Sequence, residues 1–108
     1  MKLQHESLAA GKWFQMSLVE QLGNIGSEVG RALRAQEDKQ RFDNAVTRAL
    51  ELFDLTLSDK RWLGRFKELA RAREVFCDAV LGGTEYGTSL VDLEKYFYYF
   101  AYVARAKR

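Results

Sequence analysis

Hydrophobic positions early in the chain recur at alternating spacings of four and three: Leu18, Leu22, Ile25, Val29 and Ala32. That period puts them on one stripe of an α-helix, the stripe a bundle helix turns toward its core. Phe14 and Leu33 widen it, and Glu20, Asn24, Ser27, Arg31 and Arg34 cover the opposite face. The pattern predicts a first helix from about Ser7 to Gln36, followed by a charged connection, Glu37-Asp38-Lys39. A second helix follows from about Gln40 to Leu57, with Phe42, Val46, Ala49, Phe53 and Leu57 in line and Ala45, Leu50 and Leu52 beside them. Ser58 and Asp59 can end it, and Asp59 can cap the next helix by accepting an orphan backbone N–H.

A third helix is predicted from Lys60 to Leu81, with an apolar arc of Trp62, Leu63, Phe66, Leu69, Ala70, Phe76, Cys77 and Val80. Gly82-Gly83 supplies its stop, because glycine accepts the left-handed conformation just past a helix end. The fourth helix starts after Thr88 or Ser89, where Ser89 and Asp92 have capping-box spacing, and runs near the chain end. Leu90, Leu93, Phe97, Phe100, Ala101 and Ala104 make its inner face. Short connections favour antiparallel neighbours, so the expected fold is all-α, an up-down-up-down four-helix bundle in one domain over residues 1–108. The rival is a three-helix core whose fourth helix is given to a partner chain.

Composition supports helices and narrows the chemistry. None of the 108 residues is proline, so nothing interrupts long helices. One cysteine, Cys77, excludes an internal disulfide and a cysteine-based zinc cluster. One histidine, His5, leaves almost no imidazole chemistry. Di-metal bundles need paired Glu-x-x-His motifs, which are absent, so no metal or cofactor is expected. No apolar run approaches the roughly 20 residues that cross a bilayer, and the first residues lack a secretory apolar stretch. A cytoplasmic protein without membrane association is the expectation. A net charge of +2 permits an acidic partner without arguing for one.

The fourth helix carries aromatic groups nearly all round: Tyr96-Phe97-Tyr98-Tyr99-Phe100-Ala101-Tyr102. Only one arc can face the intrachain core. At 100° per residue, Val91, Tyr98 and Tyr102 share a second face, suited to self-association or a protein partner because tyrosine buries area and keeps a polar contact. Trp13 projects onto the polar side of the first helix, either as a contact anchor or under cover of the N-terminal residues or a subunit. Gly23, Gly26 and Gly30 flank the first helix's seam, which points to another backbone approaching closely. Arg73 lies in the third helix's apolar arc and needs a partner there; Glu28 is the first choice and Glu94 the second, in a buried ion pair that fixes register. Arg61, Arg65, Lys67 and Arg71 give the third helix a basic surface, interrupted by Glu68 and Glu74, as candidate nucleic-acid contacts.

The segments Gln21-Leu22-Gly23-Asn24-Ile25-Gly26-Ser27-Glu28-Val29, Arg48–Thr56 and Arg73-Glu74-Val75-Phe76-Cys77-Asp78, continued by Glu85-Tyr86 and Tyr96-Phe97, resemble a family of small bacterial helical proteins. The resemblance covers nearly the whole chain, implies a bacterial origin and a helical bundle, and carries no functional residues across. More distantly, size and architecture are similar to four-helix-bundle proteins encoded in ribosomal RNA intervening sequences and to related retroelement accessory proteins, which form rings and can bind nucleic acid. The Arg-x4-6-His motif of HEPN-type ribonucleases has no counterpart, because His5 precedes every arginine. The leading expectation is a non-catalytic bundle that self-associates or docks a protein through its fourth helix. The alternative is an oligomeric RNA- or DNA-binding accessory protein. An enzyme would require a solvent-open pocket containing Arg73 and Glu28.

Overall fold

The computed structural model describes residues 11–106. It contains four α-helices and, among the described residues, no strand: α1 (Leu18–Arg34), α2 (Lys39–Ser58), α3 (Phe66–Val80) and α4 (Leu90–Ala106). A 3-10 turn, Trp13–Gln15, precedes α1, and a second, Lys60–Arg65, precedes α3. The all-α four-helix bundle read from the hydrophobic period is the fold observed.

Two of the expected helices are shorter than their apolar patterns. The first starts at Leu18, and the expected turn from Ser7 to Ala10 lies outside the described residues. The break falls at Met16, whose backbone is extended, and Ser17 opens the helix with a capping box. Its hydroxyl accepts from the Glu20 N–H at 3.2 Å, and Glu20 Oε1 accepts from the Ser17 N–H at 3.0 Å. The third helix is broken at Trp62, where φ −106° and ψ 20° leave the helical range. Asp59 caps this segment as expected, accepting from the Arg61 N–H at 3.1 Å. The α3 stop is Gly82 and Gly83, both at positive φ (115° and 75°). The Ser89–Asp92 box opens α4 with both of its hydrogen bonds formed, at 3.1 and 3.3 Å.

The helices alternate in direction. Gly23 of α1 lies against Ala101 of α4, Gly26 against Phe97, and Gly30 against Glu94, which makes α1 and α4 antiparallel. Glu28 faces Arg48, while the end of α1 shares a cleft with the start of α2. Glu68 near the start of α3 stands beside Tyr96, and Val75 near its end lies by Thr88 and Asp92. Each helix therefore packs on its chain neighbours, α1 and α4 closing the ring with the most extensive contact and α3 the more loosely held.

The core sits where the seams meet. Ile25 and Val29 of α1, Phe53 of α2, Phe76 of α3 and Phe97 of α4 are all essentially solvent-free. Phe53 links the others, its ring centre 5.8 Å from Phe76 and 5.9 Å from Phe97. Each such side chain contributes about 1.5–3 kcal/mol through burial. The glycines admit α4 to α1 at close range: a Cβ on Gly26 would stand 2.5 Å from the Phe97 Cβ, and one on Gly23 would stand 3.1 Å from the Ala101 Cα. Close helix packing, the main reading of that glycine stripe, is what it provides.

A polar clamp below the core explains both helix breaks. Gln21 is fully buried and uses its whole amide, donating to the Trp13 carbonyl at 3.0 Å and Asp59 at 3.2 Å while accepting from the Trp62 indole at 3.0 Å. Trp13 is itself buried and donates its indole N–H to Thr56 Oγ1 at 3.2 Å. Arg61 closes the ring, bonding Asp59 through Nε and Nη2 and the Met16 carbonyl at 2.7 Å. Both tryptophans reach these partners only because the chain leaves the α-helical path beside them.

Candidate assembly face

α4 presents two faces of different fate. Leu90, Leu93 and Phe97 are buried, and Ala101 packs on Gly23. The opposite side leaves Val91 45%, Tyr98 61%, Tyr99 63% and Tyr102 59% exposed, far more than apolar groups of that size need be on a helix with one packed face. Val91, Lys95, Tyr98, Tyr102 and Arg105 repeat at four-three spacing along one exposed stripe. The Arg105 guanidinium lies 6.0 Å from the Tyr98 ring centre. Tyr99 leans edge-on against Phe100 at 5.5 Å. Tyr96 belongs instead to the seam with α3: its ring meets Phe97 at 5.1 Å and Phe100 at 5.3 Å. Burial, then the nearby Glu68 carboxylate, pushes its phenol pKa upward.

Trp13 does not join this face. Its side chain is 0% exposed and its one donor is used inside the protein, so it cannot anchor a partner. The period that put it on the polar side of α1 fails because α1 has not begun at residue 13.

The expected Arg73–Glu28 ion pair is not formed. Arg73 Nε bonds Asp54 of α2 at 2.9 Å, with the Asp54 carboxylate mostly in solvent, and its Nη1 lies 3.9 Å from the Cys77 sulfur. Glu28 is buried and pairs with Arg31 at 2.8 Å and Arg48 at 3.9 Å. Glu94, the second choice, takes Arg34 at 2.8 Å. The reason is topological: α1 and α3 sit across the bundle from each other, so the carboxylate Arg73 can reach lies on adjacent α2. The solvent-open Arg73–Glu28 pocket that an enzyme would require is therefore not built.

Three of the four candidate nucleic-acid contacts are committed within the chain. Arg61 is held by Asp59 and lies 4.4 Å over the Trp62 ring. Asp59 is thereby lowered to about 2, chiefly by the Arg61 hydrogen bond and against the opposing cost of burial. Arg65 bonds both oxygens of Glu68, at 3.0 and 2.8 Å, and this contact lowers the Glu68 pKa. Arg71 stands 3.9 Å from Glu74 and 5.4 Å over Tyr86, whose hydroxyl donates to Glu74 at 2.8 Å. Lys67 alone is exposed on α3 with no such contact among the described residues.

The Glu28–Arg31–Arg48 and Gln21–Trp13–Asp59 groupings were not legible in the period. Glu28 is expected in a buried ion pair and Asp59 as a cap, and Gln21 is a polar residue beside Leu22 on the edge of the α1 seam, but the partners that complete each grouping lie on other elements. Among the described residues no group of three or more His, Cys, Asp or Glu side chains could hold a metal ion, and no helix is long and apolar enough to cross a membrane. Comparison with family models, with curated proteins and with solved structures finds no match for the chain.

Proposed function

We propose that the chain acts by contact rather than catalysis, as a subunit that pairs with a second copy of itself through the outer face of α4. The observation that carries this is the exposed stripe from Val91 to Arg105 on a helix whose other face is already filled by α1. Contiguous exposed apolar surface of this kind marks contact sites, and tyrosine is enriched in them. The exposed tyrosines contribute roughly 100 Å² apiece, and with Val91, Lys95 and Arg105 the stripe supplies on the order of 500 Å² per partner, at the small end for a specific interface.

Absolute mass by light scattering after size exclusion tests the proposal, on the native chain and on Tyr98→Glu/Tyr102→Glu. The expected result is a native dimer and a double variant that is monomeric with native helical circular dichroism. A native monomer at tens of micromolar overturns self-pairing and leaves the face to a different protein.

A further inference from the structure

We propose a second site, independent of the α4 face: a cleft between the end of α1 and the start of α2 that binds the phosphate oxygens of a phosphate-bearing ligand. Arg31, Arg34, Arg41 and Arg48 line it, with Asn44 adding an amide, in a volume of roughly 320 Å³. Its apolar lining is only Ala35 and Ala45, so it offers no aromatic platform for a base and selects by charge and hydrogen bonding.

The placement of the arginines argues for an anion. Arg31 and Arg34 stand in the last turn of α1, where the helix dipole favours cations. Arg41 stands in the first turn of α2, where the dipole opposes a cation, and its ion pair with Asp38 is long, at 3.6 Å. Asp38 already caps that end of α2, accepting from the Arg41 N–H at 3.2 Å, so an anion in the cleft would meet the Arg41 guanidinium itself. Arg48 is aimed by buried Glu28: its Nη1 lies 3.9 Å from Glu28 Oε1, an oxygen that has no hydrogen-bond partner. Glu28 serves two arginines, Arg31 and Arg48, so one carboxylate balances two cations. With Glu94 and Asp38 on the other two, four guanidinium groups face three carboxylates. Arg41 and Arg48 side chains make no hydrogen bond among the described residues, leaving their forked donors for a phosphate, which guanidinium binds in bidentate fashion.

Titration of the full chain with pyrophosphate, and separately with a single-stranded oligonucleotide, by calorimetry in low salt tests the site. Arg41→Ala/Arg48→Ala should weaken binding by about tenfold or more for each arginine, the scale of a charge-assisted hydrogen bond. Arg65→Ala, on a different surface, should leave it unchanged, and circular dichroism should show both variants folded. Pyrophosphate binding that the double variant loses supports a small phosphate ligand. Oligonucleotide binding lost in the same way, without pyrophosphate binding, supports the cleft as a seat for a nucleic-acid phosphate. Absence of both, or binding that the double variant retains, overturns the site.

Discussion

The outward display of α4's tyrosines depends on its inner face lying close on α1, and Gly26→Ala tests that closeness directly. The substitution should add helix propensity, worth about 1 kcal/mol in a helix interior. The new Cβ would stand 2.5 Å from the Phe97 Cβ, against the 3.5–4.0 Å at which carbon atoms rest comfortably, so α4 must retreat by about 1 Å. Phe97 cannot yield by turning its ring, because the clash is with its Cβ and the ring is wedged against Phe53 and Tyr96. Overpacking of this sort costs about 1–3 kcal/mol. A net loss of up to about 2 kcal/mol is expected, which in a domain of this size lowers Tm by up to about 10 °C. Gly64→Ala is the control: nothing lies within 4 Å of its added Cβ, and it should gain about 0.4–1 kcal/mol. Urea denaturation followed by circular dichroism reads both. A Gly26→Ala protein more stable than the native chain by the full propensity gain of about 1 kcal/mol would refute the close α1–α4 approach, and with it the reason the tyrosines face outward.

Trp13→Ala should cost about 3–5 kcal/mol, since it empties a fully buried site, whereas an exposed tryptophan would cost little; equilibrium unfolding decides between them. Trp13→Phe keeps most of the volume but strands the Thr56 hydroxyl, so a smaller loss near 1 kcal/mol is expected. Asp59 makes the fold acid-sensitive. Its folded pKa, about 2, lies below the ordinary 3.8, so its stabilisation is complete above pH 4 and is lost as pH falls toward 2. Asp59→Asn should flatten the pH dependence of stability in that window. Arg73→Ala should cost under about 1 kcal/mol, because its Asp54 partner is exposed; a loss of several kcal/mol would indicate a desolvated pair instead.

The sequence by itself determined the helices that bury a stripe and end on local chemistry. The Leu22–Ile25–Val29–Ala32 seam, the Gly82-Gly83 stop, the Asp59 cap and the Ser89–Asp92 box all arise within a few residues of one another, so periodicity and capping rules suffice to find them. The glycine stripe was legible as a close approach, although only the folded chain identifies α4 as the helix that approaches. Tertiary structure decided whatever depends on a partner far along the chain. Trp13 and Trp62 leave the helical path to share Gln21, across 8 and 41 residues. Arg73 takes Asp54 because helix adjacency, not residue type, sets which carboxylate is in reach. Arg31 and Arg34 read as a solvated face until α2 places Arg41 and Arg48 opposite them. A helical projection records direction around one axis; it carries no information about which other helix stands there, and that is where buried hydrogen bonds and convergent charges are settled.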